Sequence, residues 1–305
     1  MITRFQQVSV IAAIVLLMAA APAILPGQGS PARAAEAAKL IGILQSDAEA
    51  FDKAKACQRL ALVGGREAVP ALAALLADEK LGTYARFGLE PIPDPSVDDA
   101  LRSALGRLQG QLLVGVINSI GVRRDEKAVG ALARLVDDSA PEVAPKALAA
   151  LGQIASAEAT EALKRAVAGD SAALRAAAAD ACLLAAERLV AEGKREEAAR
   201  LCDAARAADV PGHLRAAATR ASILARQSAG APLLLEQFQT DDAEMFAMAL
   251  RTSRELPGAE VTQALVAHLD RLPPARQALL IGAIGDRRDA GAFSGLTRAE
   301  IHERH

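Results

Sequence analysis

The chain has 305 residues, 52% of them hydrophobic and 24% charged, with 35 basic and 37 acidic side chains and a formal net charge of -2. That balance excludes an intrinsically disordered chain and leaves no general attraction to nucleic acid or to an anionic membrane surface. Aromatic residues amount to 2% with no Trp, too few for a β-sandwich or an aromatic-lined cleft, whereas abundant Ala and Leu suit close helix packing.

Residues 1–34 have the anatomy of a secretory signal. A short start carrying Arg4 precedes an almost wholly apolar run, residues 8–21, and then a small, polar stretch, residues 26–34. Ala32 and Ala34 supply the small-x-small pattern a signal peptidase site accepts, so cleavage after Ala34 is expected. The competing reading is an uncleaved anchor, because the run extended to Leu25 reaches the ~18 residues that span a bilayer. No Leu-x-x-Cys box follows it and no twin arginine precedes it. A bacterial periplasmic or cell-surface location is the expectation, with membrane contact only through a retained signal.

From about residue 36 the apolar positions recur at three- and four-residue spacing, and the chain reads as helix, turn, helix. Leu72, Leu101, Leu132, Leu163, Leu201, Leu235, Leu265 and Leu296 mark the second helix of each unit at intervals of roughly 29 to 38 residues, which implies about eight hairpins. The first pairs residues 48–63 with 67–77 across Gly64 and Gly65. In the second, residues 81–89 lead into a loop with Pro91, Pro93 and Pro95, after which Ser96 opens a helix with Asp99 in capping-box position. The third, residues 110–132, turns at Arg123-Arg124-Asp125, with Asp125 as N-cap of residues 126–136. Ile281 to Ala292 repeats that rhythm, including Arg287-Arg288-Asp289.

The fourth hairpin starts at Ser139, and Pro145 is expected to bend its first helix before residues 158–167 return. The fifth has a long Ala-rich helix, residues 171–192, a turn at Gly193 and a second helix to 208. Hairpins six and seven span residues 213–237 and 242–272, and the eighth ends shortly after Leu296.

These residues carry two resemblances. Phrases such as Glu67-Ala68-Val69-Pro70-Ala71-Leu72 and Glu158-Ala159-Thr160-Glu161-Ala162-Leu163, with Asp-capped second helices, make the chain resemble the short bacterial HEAT-repeat proteins related to the phycobilisome lyases. The resemblance implies an all-α fold, an α-solenoid of stacked hairpins. The stretch 170–212 resembles a tetratricopeptide hairpin through Gly193, the acidic pair before Ala198, the small residues Ala186, Ala198 and Ala205, and Pro211. The family's usual aromatics are replaced by Cys182, Leu189 and Cys202. The organisation expected is therefore a signal over 1–34, HEAT-like repeats over 35–169, the tetratricopeptide-like hairpin over 170–212 and HEAT-like repeats over 213–305.

Candidate chemistry is sparse. Arg123, Arg124, Arg287 and Arg288 either present guanidinium forks to anionic groups of a partner or cover helix C-terminal carbonyls and pair with Asp125 and Asp289. Tyr84 and Phe87, at i, i+3 beside the Pro-rich loop, are either core or the aromatic part of an interface. Cys182 and Cys202 sit at matching heights on one hairpin, and export permits a disulfide. Helices ~8–10 Å apart against the roughly 4.4–6.8 Å a disulfide needs favour free core thiols. The histidines His213, His268, His302 and His305 form no His-x-x-x-His pair, so neither a metal nor another cofactor is expected. HEAT-like iron hydroxylases resemble this fold and carry several His-Glu pairs; here His302-Glu303 stands alone. Paired acids such as Asp98-Asp99, Glu196-Glu197 and Asp241-Asp242 fall at helix starts, where the macrodipole explains them.

Stacked second helices are expected to line an extended concave face that suits protein segments better than a small molecule. The expected function is non-catalytic binding of a protein partner in the bacterial cell envelope. The alternatives are a carbohydrate- or polyanion-binding module using the turn arginines, or a HEAT-like lyase or hydroxylase.

Overall fold

The structure is a computed structural model and describes residues 31–137 and 141–287. Among these residues there are sixteen α-helices and no strand. The first helices of successive hairpins are α2 (Ala50–Val63), α4 (Gly82–Leu89), α6 (Gly110–Arg123), α8 (Ala144–Ile154), α10 (Ala172–Ala191), α12 (Gly212–Ala225), α14 (Ala243–Glu255) and α16 (Pro274–Asp286). Each packs on the next to build one layer. The opposite layer holds α1 (Pro31–Gln45), α3 (Val69–Ala74), α5 (Pro95–Leu105), α7 (Val129–Val136), α9 (Ala157–Val167), α11 (Arg195–Ala207), α13 (Ala231–Gln237) and α15 (Ala259–His268), each packed against the first helix that follows it. The protein is thus an all-α solenoid.

The core lies between the layers, where no single hairpin can cover its own apolar stripe. Leu72, Leu101, Leu132, Leu163, Leu201 and Leu265 are all buried, as their recurrence predicts. In the sixth hairpin the buried residue is Leu234, while Leu235 is only partly covered. Pro232 in the first turn of α13 matches Pro70 in the first turn of α3, and the position two residues after the proline faces inward in both. Leu296 lies outside the described residues. The buried apolar side chains form one cluster from Ala37 to Ala225, a second from Ile223 to Ile284 and a small third of Ala216, Met245 and Met248.

Close approach within the first layer depends on glycine. A Cβ on Gly152 of α8 would stand 2.7 Å from the Ala181 carbonyl oxygen of α10, and one on Gly88 of α4 would stand 2.9 Å from the Cys57 carbonyl oxygen of α2.

Residues 31–45 are a helix, α1, which stands in the second layer ahead of the first complete hairpin. It holds Ala32 and Ala34 in its first turn. Two local expectations next to prolines are corrected. In the second hairpin the N-cap is Asp94 rather than Ser96: its carboxylate accepts from the Ser96 amide at 2.9 Å, and Pro95 takes the first helical position, where its fixed φ fits and its missing N–H costs nothing. For the same reason Pro145 opens α8 and does not bend it. Ser139 lies outside the described residues. Asp125 does cap the turn that begins at Glu126, accepting from the Lys127 amide at 3.1 Å, although that first turn is a 3-10 helix before α7 begins at Val129.

Two non-glycine helix ends are left-handed, Arg124 (φ 56°) after α6 and Ala155 (φ 53°) after α8. Ala has no side-chain hydrogen bond to offset this conformation, which costs roughly 1–2 kcal/mol. Ala155→Gly should therefore raise stability by about 1 kcal/mol in chemical denaturation; a lowered midpoint would show that the lost Ala155 methyl in the core matters more.

Candidate functional site

The arginine turns are built into the scaffold. Arg123 ends α6, and its side chain is only 11% exposed. Its guanidinium reaches back to the preceding hairpin, donating to the carbonyls of Glu90 (2.8 Å) and Ile92 (2.7 Å) and to both carboxylate oxygens of Asp98 (2.5 and 3.1 Å). The Pro-rich loop cannot satisfy its own carbonyls with helical hydrogen bonds, and a planar five-donor fork can serve several of them together. Arg287, directly after α16, does the same for the hairpin before it, donating to the carbonyls of Ser253, Leu256 (2.6 Å) and Gly258 (3.0 Å) and to the Thr262 hydroxyl (2.8 Å).

The partner expected for the first turn is corrected. Asp125 pairs with Arg102 of α5 and not with the adjacent arginines. Arg124 points outward with its side chain 51% exposed, 3.9 Å from Glu192. Arg288 and Asp289 lie outside the described residues.

Tyr84 and Phe87 are surface residues, 38% and 55% exposed. Helix α4 instead buries Gly82, Ala85, Gly88 and Leu89, because close packing on α2 selects the smallest side chains and turns the aromatics outward. Arg86 lies along the edge toward α6, where Gly115 makes room for its guanidinium, and its Nη1 donates to the Ser119 hydroxyl at 3.4 Å. Burial pulls the Arg86 guanidinium below its ordinary pKa, partly offset by the nearby Glu90 carboxylate. The structure does not bring the sequence candidates together: the aromatics stand on the outer side of the first layer, Arg123 and Arg287 brace loops, and Arg124 points outward.

The second layer, the face that the sequence reading chose for binding, carries open concavities whose lining residues that reading did not name. A groove of about 540 Å³ runs between α7 and α9 to the start of α10, with Arg134 and Arg165 beside Val136, Ala162 and Leu174, and Asp137 and Asp170 also lining it. A second, of about 440 Å³, lies between α9 and α11 and is lined by Glu158, Glu161, Lys164, Glu197 and Arg200. Residues that line grooves between neighbouring repeats are exposed charged positions one repeat apart, which look like ordinary solvated helix faces until the helices are stacked.

Cys182 and Cys202 are free thiols, both buried. Burial pushes each up to about 12, helped by the other cysteine at Cys182 and by Asp203 at Cys202; Cys57 is raised to about 11, again by burial. Thiolate is the reactive form, so all three should resist alkylation in the native protein at neutral pH and all should react once it is denatured. Rapid labelling of Cys182 without denaturant would contradict the packing of α10 on α11.

His268 is buried beside Phe238, and its Nε2 has no hydrogen-bond partner. Burial, reinforced by Arg271, lowers its pKa. The unfolded chain therefore takes up the proton first, and the stability linked to neutral His268 is present above about pH 6.5 and lost as pH falls from there through the lower folded pKa. Denaturation at pH 7 and pH 5 should show this loss, and His268→Leu should reduce the slope; an unchanged slope would remove His268 as its source. Among the described residues no group of three or more His, Cys, Asp or Glu is placed to hold a metal ion.

Two layers of stacked hairpins with grooves between second helices define an α-helical repeat protein. No family model matches the chain, and no curated protein matches it. Among solved structures it is similar to human deoxyhypusine hydroxylase in complex with glycerol, at 16% identity over 84% of this chain and 97% of that one, with a TM-score of 0.38. It is also similar to an engineered protein (18% identity, 88% and 86% covered, TM-score 0.39) and to the complex of CpcE and CpcF of phycocyanin lyase from Nostoc sp. (17%, 93% and 95%, TM-score 0.33).

Proposed function

We propose that the protein is a non-catalytic scaffold or adaptor of the bacterial cell envelope that binds a protein partner along its second-helix layer. The observation that supports this most is the succession of open grooves between α7, α9 and α11, each with charged rims and short apolar floors, the composition of a surface that takes up a polypeptide segment. Export is read from the leader, residues 1–34.

The polyanion-binding alternative relied on the turn arginines. Arg123 and Arg287 already give their donors to loop carbonyls, which leaves that reading to Arg124 and Arg288. A HEAT-like lyase or hydroxylase would need a ligand set around His302-Glu303, a pair outside the described residues.

Cross-linking in the native envelope, followed by identification of what co-purifies, tests the proposal. A protein partner whose recovery is lost with Arg165→Glu and Leu174→Asp is the expected result. Repeated recovery of polysaccharide alone, with binding that falls as salt rises, would replace the reading with the polyanion one.

A further inference from the structure

Large apolar side chains left in solvent are unevenly placed. Phe51 is 68% exposed and Leu62 66%, both on α2; Tyr84 and Phe87 on α4 and Val122 on α6 are exposed as well. These five belong to the first three helices of the first layer; the other two among the described residues, Leu184 on α10 and Leu279 on α16, stand singly. Their neighbours in space follow from the packing: α2, α4 and α6 stack in order, and Gly88 of α4 lies against the Cys57 carbonyl of α2. On α2 the outward stripe is Phe51, Lys55, Gln58 and Leu62, with the Lys55 ammonium 4.1 Å from the Phe51 ring centre. The other two described Phe residues, Phe238 and Phe246, are buried and stacked edge to face.

We infer that this face rests on a lipid bilayer surface, with the aromatic and aliphatic side chains at the acyl boundary and Lys55 reaching up to the headgroups. Three observations select lipid as the occupant. Aromatic rings flanked by a lysine whose apolar stem can lie along the surface are the composition of the membrane interface. Successive first helices present these side chains side by side, as a broad face and not as a slot for one helix or strand.

The third is the route of the chain with its leader retained, the alternative to cleavage after Ala34 given above. The apolar run of residues 8–21 leads to α1, and Arg33 in the first turn of α1 donates to the Leu62 and Val63 carbonyls at 2.7 and 3.2 Å. The start of α1, which follows that run in the chain, is therefore held beside Leu62, at the edge of the exposed face. The inference concerns a surface opposite the partner grooves and stands whether or not those grooves take a protein.

The chain contains no Trp, so a single introduced Trp reports its own surroundings. In the full chain reconstituted with phosphatidylcholine vesicles carrying brominated acyl chains, Phe87→Trp should shift its emission to the blue and be quenched. Leu279→Trp on α16 and Arg165→Trp in the second layer, tethered by the same leader, should not. Adding Phe51→Ser and Leu62→Ser to Phe87→Trp should restore roughly tenfold or more of the unquenched population, since each removes apolar burial at the interface. Circular dichroism checks that these exposed positions leave the helices intact. Equal quenching at residues 87 and 279, or none at 87, overturns the inference. So does a blue shift at 87 that appears without lipid and grows with protein concentration, which would assign the face to a second copy of the chain.

Discussion

Gly152→Ala should destabilise the protein by about 1–3 kcal/mol, and Gly152→Val by more, measured as a lowered midpoint in chemical denaturation. Two effects oppose each other. Alanine gains about 1 kcal/mol of helix propensity over glycine in the interior of α8. Against that, the new Cβ would meet the Ala181 carbonyl oxygen at 2.7 Å and the Ala181 Cα at 3.1 Å. Those atoms belong to the α10 backbone, which cannot rotate away as the tip of a side chain would, so α8 and α10 must separate along a junction in the middle of the array. The contact term wins. A Gly152→Ala protein as stable as the parent would mean that α8 and α10 are not in this close register.

The second large effect separates the two arginines of one turn. Arg123→Ala should cost about 3 kcal/mol, because it leaves the Glu90 and Ile92 carbonyls and the Asp98 carboxylate without their shared donor. Arg123→Lys should recover little, since a point-like ammonium cannot span acceptors that a planar fork reaches together. Arg124→Ala, one residue on, should change stability by about 0.5 kcal/mol or less, as its side chain is exposed and its nearest carboxylate is 3.9 Å away. Thermal and denaturant unfolding of the three variants decides the matter. Equal effects at 123 and 124 would contradict the bracing role of Arg123.

That contrast also shows what the sequence carried. Hairpins were legible because burial repeats at helical spacing and the units repeat at a near-constant period; Leu72, Leu101, Leu132 and Leu163 are buried where the pattern places them. Caps next to proline were shifted, as at Asp94 and Pro145, because the ring's fixed φ decides where the helix begins whichever hydroxyl stands nearby. The role of Arg123 was hidden by distance: its acceptors lie 25 to 33 residues back in the chain, one repeat away, beyond any local pattern.

The candidate site was less legible still. Tyr84 and Phe87 have spacing that fits either a core or a surface stripe, and the choice fell to the small residues Ala85 and Gly88, which α2 requires at the contact. The larger groove combines residues from α7, α9 and the start of α10, and the position of Arg134 against Arg165 emerges only when α7 is stacked on α9.

The central claim is that the second layer is the partner surface, and a position-resolved photo-cross-link tests it most directly. A photoreactive side chain is placed in turn at Ala133, Ala166 and Lys146, and the protein is irradiated in its native envelope. Ala133 and Ala166 line the groove between α7 and α9, whereas Lys146 is exposed on the first-layer helix α8. The account predicts a discrete protein adduct, the same one, at 133 and 166 and none at 146. An adduct at 146 with none at the two groove positions would contradict it.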